Sequence, residues 1–298
     1  MKIIKQLHSK DGKSTKFLQQ TNDFHVIETS YIDLDENIIC ISTQVGCKMG
    51  CVFCATTKPV DAINPNLRFI RNLTCDEITQ QISNVIGSIQ LNSKPILLSY
   101  MGMGEPFLNY DNVTCSIKNI SSKYPGATRV SIATSGISPL KIKKLAHENF
   151  DIEVKVQLSL HAAKEKLRKK IMPGSKSIKK ALGAVKYFSK IKSEPMKINY
   201  VLIGGINDSD KDAHELVKLL YPDRKDFVLK LMVFNEFDKY KPSSEDRFNK
   251  FQAILENSGI KVTTFMSDGP DIKAGCGQLR RHYYANKSYE KVVSKQNQ

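Results

Sequence analysis

Gly46-Cys47-Lys48-Met49-Gly50-Cys51-Val52-Phe53-Cys54 sets three cysteines at C-x3-C-x2-C spacing within nine residues. The two glycines let the backbone wrap, so the three sulfurs can turn toward one centre. The chain has seven cysteines, unevenly spaced (Cys40, Cys47, Cys51, Cys54, Cys75, Cys115 and Cys276), and in a chain expected to be cytosolic this is no disulfide framework. Structural zinc would want a fourth ligand at similarly short range, yet no His or Cys follows within the next twenty residues. A three-thiolate site with an open position suits iron–sulfur chemistry better, because a cubane cluster held at three irons leaves the fourth for a ligand.

Around this stretch, short β-rich apolar runs alternate with longer amphipathic ones. Strands are expected at Ile38 to Thr43, Ile96 to Met101, Arg129 to Thr134, Glu153 to Ser159, Met196 to Ile203 and Phe227 to Phe234. Helices are expected near 74–91, 111–123, 138–148, 177–192, 209–220 and 244–258, with Thr74, Ser209 and Ser243 or Ser244 as caps. Six βα units with helical crossovers demand parallel strands and right-handed connections, as a barrel or a doubly wound sheet. Periodicity does not choose between them. Either way, the polar residues just after the strands fall on the sheet edge where parallel α/β folds bind ligands.

The 298 residues are 41% hydrophobic, with no apolar run of 18 and no signal-peptide core after the opening MKIIKQLHSK, so a cytoplasmic protein without a membrane span is expected. The formal charge of +15 favours a polyanionic partner. Two-thirds of that charge lies between Lys164 and Lys192, which holds eleven basic residues and one acid, Glu165. A solvated helical face is the usual meaning of such a run, but its single sign tilts this one toward phosphate.

Two further stretches carry chemistry. Met101-Gly-Met-Gly-Glu-Pro106 follows the second strand, where its glycines let backbone approach a ligand and Glu105 can accept from an ammonium group. Cys276, in Gly275-Cys-Gly277, has neighbours that offer its thiol no hydrophobic cover. Ser135 (or Thr134 beside it), Ser159, His161 and Asn235 are polar groups at the ends of later strands. Cys75 and Cys115 read as ordinary helix residues.

With its flanks Cys40-Ile-Ser-Thr-Gln-Val-Gly-Cys47 and Cys54-Ala-Thr-Thr, Arg71-Asn-Leu-Thr74, Leu108-Asn-Tyr-Asp111, Thr134-Ser-Gly136, Ser159-Leu-His161-Ala162, Gly205-Ile-Asn-Asp208 and Ala274-Gly-Cys-Gly-Gln-Leu279, the chain resembles the RlmN/Cfr family of radical S-adenosylmethionine (SAM) RNA methyltransferases from about residue 25 to 285. The resemblance implies a partial (β/α)6 radical SAM barrel over 38–265, a short N-terminal extension over 1–37 and a C-terminal segment over 266–298. It implies a [4Fe–4S] cluster on Cys47, Cys51 and Cys54, and SAM held by Gly104, Glu105, Ser135, Ser159, Leu160, His161 and Asn235. It further implies that Cys276 receives a methyl group, that Cys40 later forms a disulfide with it to release product, and that Glu28 is the general base.

The activity implied is methylation of a ring carbon of an RNA adenosine, C2 in preference to C8, in 23S rRNA or tRNA. An electron donor such as flavodoxin or ferredoxin and a monomeric state go with it. The alternatives are a radical SAM enzyme with another substrate, which leaves Cys40, Cys276 and the basic run unexplained together, and a non-catalytic RNA-binding protein. Family members usually carry a small helical RNA-recognition domain before the barrel. Here about 37 residues precede the first expected strand, and the run from Lys164 to Lys192, with Arg168, Lys169 and Lys170 at its centre, is expected to anchor RNA instead.

Overall fold

The computed structural model describes residues 1–57, 68–124, 126–266, 270–272, 275 and 277–285. The chain opens with an antiparallel meander of β1 (Lys2–His8), β2 (Ser14–Gln20) and β3 (Val26–Asp33), and β3 pairs antiparallel with β4 (Asn37–Cys40). A separate two-stranded ribbon follows, β5 (Gln44–Gly46) with β6 (Phe69–Asn72). Helices and strands then alternate: α1 (Cys75–Ile86), β7 (Ile96–Tyr100), α2 (Tyr110–Lys123), β8 (Ala127–Thr134), α3 (Pro139–Leu145) and β9 (Glu153–Ser159). After them come α4 (Glu165–Ile171), α5 (Ile178–Lys192), β10 (Met196–Leu202), α6 (Asp210–Leu220), β11 (Phe227–Val233), α7 (Glu245–Asn257) and β12 (Val262–Phe265). A last helix covers 278–285.

Strands β4, β7, β8, β9, β10, β11 and β12 lie side by side in that order, each parallel to the next. What decides between barrel and doubly wound sheet is the pleat. Successive side chains point to opposite faces, and one face carries Leu98, Val130, Val156, Ile198 and Leu229 into a single core with Ile82 of α1, Ile117 of α2, Ile142 of α3, Val185 of α5, Leu216 of α6 and Phe251 of α7. All these helices therefore cover the same face. The other face carries Ser99, Ser131, Gln157, Asn199 and Lys230, a polar set that a doubly wound sheet would have had to bury under helices. Each Leu or Ile on the helix side adds about 1.5–3 kcal/mol by leaving water. The polar side gains nothing comparable, so the sheet curls around it as a partial barrel, open between β1 and β12 among the described residues.

Three parts depart from the expectation. The 37 residues before the first expected strand hold β1 to β3, which extend the same sheet; β2 buries Lys16 and Gln19, polar residues that spoil an alternating pattern. α4 is an extra helix, too short for a periodic signal, and β12 adds a seventh parallel strand with a half-exposed VTTF sequence. Cys75 and Cys115 are not separate helix residues: they form a disulfide between the first residue of α1 and the middle of α2, with Cα atoms 5.8 Å apart. Packing of α1 beside α2 brings together two cysteines 40 positions apart, which spacing along the chain could not disclose. Among the described residues no helix is long and apolar enough to cross a membrane.

Candidate active site

The cysteine stretch leaves β5 through Gly46, whose φ of +84° and close approach to the Arg68 carbonyl leave no room for a Cβ. Cys47 N–H donates to that carbonyl at 2.8 Å. Further on, the Thr57 hydroxyl donates to the Cys51 and Cys54 carbonyls at 2.6 and 3.0 Å, which folds the stretch back on itself. The end of α4 holds it from outside, with Val52 N–H on the Ile171 carbonyl and Gly174 N–H on the Met49 carbonyl, both at 3.0 Å. Burial pushes all three thiols up, and the charges of Cys51 and Cys54 act on Cys47, so the three are neighbours.

Among the described residues no three His, Cys, Asp or Glu side chains converge on one point closely enough for a single metal ion. A cubane cluster asks for something else, one thiolate for each of three different irons. Three buried or half-buried thiols from one folded loop are a donor set of that kind.

Glu105 faces this loop from the strand-end side. It is 4% exposed, and its carboxylate accepts from the Thr134 hydroxyl at 2.7 Å, the Ser135 amide at 2.9 Å and the Ser135 hydroxyl at 2.8 Å. Burial raises its pKa against these donors. Thr134 and Ser135 thus both serve, each on a different oxygen. Ser135 Oγ also lies 3.7 Å from the Met49 sulfur, which joins the Glu105 cradle to the cysteine loop. At Gly104, φ is +107° and a Cβ would come within 2.7 Å of Thr43 Oγ1, so a glycine is required.

His161 lies past β9, buried, with φ of +57°. Its Nδ1 accepts from Val201 N–H at 3.1 Å, so the ring proton sits on Nε2; burial depresses the pKa to about 3, and the imidazole stays neutral. Asn207, of the Gly205-Ile-Asn-Asp208 motif, supports this turn by donating to the His161 and Val201 carbonyls, both at 2.8 Å. Ser159, His161 and Asn235 line one cavity of about 190 Å³, with Phe53 and Cys54 on its cluster side and Gly275 and Gln278 from the C-terminal segment. Leu160 contributes backbone, its N–H on the Asn199 carbonyl at 3.0 Å. Two larger hollows, of about 420 and 530 Å³, are lined by residues of α5 and its surroundings and hold none of these groups.

Two residues of the site escaped the sequence reading. Asn199 also lines the cavity, 1% exposed, and neither its amide nitrogen nor its oxygen has a hydrogen-bond partner among the described residues. A polar residue inside the apolar run Met196 to Leu202 was the signal for it. Arg168, at the centre of the run expected to anchor RNA, does not face solvent at all. Its side chain is fully buried and donates to the carbonyls of Leu160 and Ser159 at 3.0 Å and of Ser135 and Lys176 at 2.7 Å, tying the loops after β8 and β9 to α4. Lys164 and Lys186 of the same run pair with Glu215 and Asp223.

Cys40 ends β4 as a free thiol, raised to about 11 by burial, with Lys16 opposing the shift and Glu28 adding to it. Glu28 on β3 is 3% exposed; its Oε2 meets Lys16 Nζ and Gly277 N–H, each at 2.8 Å, and its Oε1 accepts from Arg280 N–H. The structure therefore brings Cys40, Glu28 and the C-terminal segment together at the barrel mouth. Cys276 lies outside the described residues.

A partial barrel whose cysteine loop overhangs a buried carboxylate and a strand-end cavity defines a class, and residues 41–217 match the model of the Radical SAM superfamily. The chain is 38% identical over 286 residues to a probable dual-specificity RNA methyltransferase RlmN from Dictyoglomus turgidum, covering 93% of this chain and 78% of that protein. It is 38% identical over 287 residues to the corresponding protein of Pseudothermotoga lettingae, covering 94% and 79%. Among solved structures, a radical SAM methyltransferase from Sphaerobacter thermophilus superposes with a TM-score of 0.81 at 31% identity, over 94% of this chain and 81% of that one. The chain belongs to the RlmN family of radical SAM RNA methyltransferases.

Proposed function

We propose that this protein methylates a ring carbon of an adenosine in rRNA or tRNA, C2 in preference to C8, by way of a methyl group carried on Cys276. The observation that carries the reading is the convergence, at one strand edge, of the cysteine loop, the Glu105 cradle, Cys40, Glu28 and the residues flanking Cys276. A ring carbon of adenine is an electron-poor sp2 centre and does not attack a sulfonium methyl as a nitrogen would, so the reaction needs radical chemistry. A [4Fe–4S] cluster on Cys47, Cys51 and Cys54 would supply it by one-electron cleavage of SAM.

The protein's own residues do the rest. Glu105 accepts from the ammonium group of SAM, and Ser135 and Thr134 hold that carboxylate in place. Ser159, the Nε2–H of His161, Asn235 and the unsatisfied amide of Asn199 offer hydrogen bonds to ribose and adenine. Phe53 and Phe234, edge to face with ring centroids 6.4 Å apart, keep water from the cavity. Once the adduct radical has given up one electron, which the oxidised cluster would accept, Glu28, having shed one of its present donors, takes the ring proton. Cys40 then attacks the sulfur of Cys276, the S–S bond forming as the S–CH2 bond breaks, and the Cys40 thiol proton passes to the freed carbon to complete the methyl group.

Anaerobically reconstituted protein given SAM, a low-potential reductant such as reduced flavodoxin, and rRNA or tRNA should yield 5′-deoxyadenosine together with a methyladenosine seen by nucleoside mass spectrometry. 5′-Deoxyadenosine without methyladenosine would assign a different substrate. Neither product would reduce the protein to an RNA binder.

A further inference from the structure

We infer that Lys16 and Glu28 form a latch on the segment that carries Cys276, with Lys16 as a positioning residue. Lys16 is 1% exposed, and among the described residues its Nζ meets Glu28 Oε2 and the Gly275 carbonyl, each at 2.8 Å. Glu28 Oε2 accepts from Gly277 N–H and its Oε1 from Arg280 N–H. One buried ion pair on the meander thus grips the peptide groups on both sides of residue 276 and caps the first turn of the helix over 278–285.

The latch has a definite seat. Gly275 lines the cavity of Ser159 and His161, while Gly277, at φ +82°, packs so closely on Thr56, two residues past Cys54, that a Cβ would collide with it. Both glycines lie between ligand cavity and cysteine loop. A carboxylate whose oxygens already meet an ammonium and two amides has little room left for a further partner. Glu28 therefore holds the segment while it is docked and becomes accessible to substrate once it has shed one of these donors. Removing Lys16 takes away the directly paired cation and leaves the buried carboxylate only the charge of Arg280, which is not in direct ion-pair contact with it, and this loosens the whole grip.

Hydrogen exchange followed by peptide mass spectrometry tests the latch without RNA or activity. In Lys16→Met, amides within 275–285 should exchange about tenfold faster or more, the loss expected for a charged hydrogen bond. Peptides from β8 to β10 should stay as slow as in the wild type, and Lys16→Arg should restore most of the protection. Protection over 275–285 equal to wild type in Lys16→Met, or loosening spread evenly over the sheet, overturns the latch. Should Lys16→Met not fold, Lys16→Gln, which keeps one donor, carries the same comparison.

The consequence for Cys276 rests on the proposed function and has its own readout. SAM-dependent methylation of Cys276, measured by mass spectrometry without RNA, should slow in Lys16→Met while SAM affinity is unchanged. A wild-type protein that never methylates Cys276 would overturn the methyl-cysteine reading and leave the latch to the exchange result.

Discussion

Glu105 is a carboxylate that burial makes costly and that we propose as the acceptor for the SAM ammonium group. Thr134 and Ser135 aim three donors at it, and its pKa still stays above the ordinary carboxylate value, with burial as the leading cause. The folded protein thus holds this proton more tightly than the unfolded chain does. The stability linked to it is complete below the ordinary carboxylate pKa and is lost as pH rises toward the raised value. Glu105→Gln removes that loss. Denaturant titration should find the variant gaining stability relative to wild type as pH rises from about 4 to 7. Calorimetric titration at pH 7 should find its SAM affinity at least about tenfold weaker, the usual loss for a hydrogen bond to a charged group. A variant that binds SAM like wild type would remove Glu105 from the ammonium site.

Among the elements, α1 and α4 do most to hold the site's frame. α1 starts with a capping box, Thr74 to Glu77, and Arg71 just before it bridges Glu77 and Asp23. Its first helical residue, Cys75, is bonded to Cys115 of α2. A cross-link closing a 40-residue span restricts the unfolded chain by about 3–4 kcal/mol in the chain-entropy account. Oxidised protein should therefore unfold at higher denaturant than reduced protein, and Cys115→Ser should unfold like reduced wild type in either condition. Equal midpoints for oxidised and reduced wild type would show the bond to be without consequence. α4 is shorter but holds more of the site, since Arg168 and the Ile171 carbonyl on its last turn secure the loops after β8 and β9 and the cysteine loop at once.

At the scale of the whole molecule, the +15 charge still points to RNA, but fewer residues carry that meaning than the sequence suggested. Arg168 is structural, and Lys164 and Lys186 are paired. Lys166, Lys170 and Lys176 remain exposed around α4, the helix that holds the cysteine loop, and are the residues we propose to meet RNA phosphates. If about four phosphates are neutralised, log affinity should fall with log salt at a slope of roughly −3. Reversing Lys166, Lys170 and Lys176 to Glu should weaken RNA binding and flatten that slope without lowering the unfolding midpoint. Unchanged affinity would make this run a solvated face. The matched stretch covers 78% of the Dictyoglomus turgidum relative and 79% of the Pseudothermotoga lettingae one.

The sequence by itself determined what is local: the cysteine loop, the Glu105 turn, the polar groups after each strand and the six βα units, because spacing within a loop and the period of a helix or strand are written in neighbouring residues. Only the tertiary structure decided what depends on distant partners. That all helices share one face follows from which side of the pleat is apolar in every strand at once. Arg168 looks like surface charge until four carbonyls from three stretches of chain are seen around it, and Cys75 looks inert until α2 brings Cys115 beside it. Lys16 and Glu28 reach residues some 250 positions away. A buried polar side chain is tolerated only where its partners converge, and that convergence belongs to the folded chain rather than to any stretch of it.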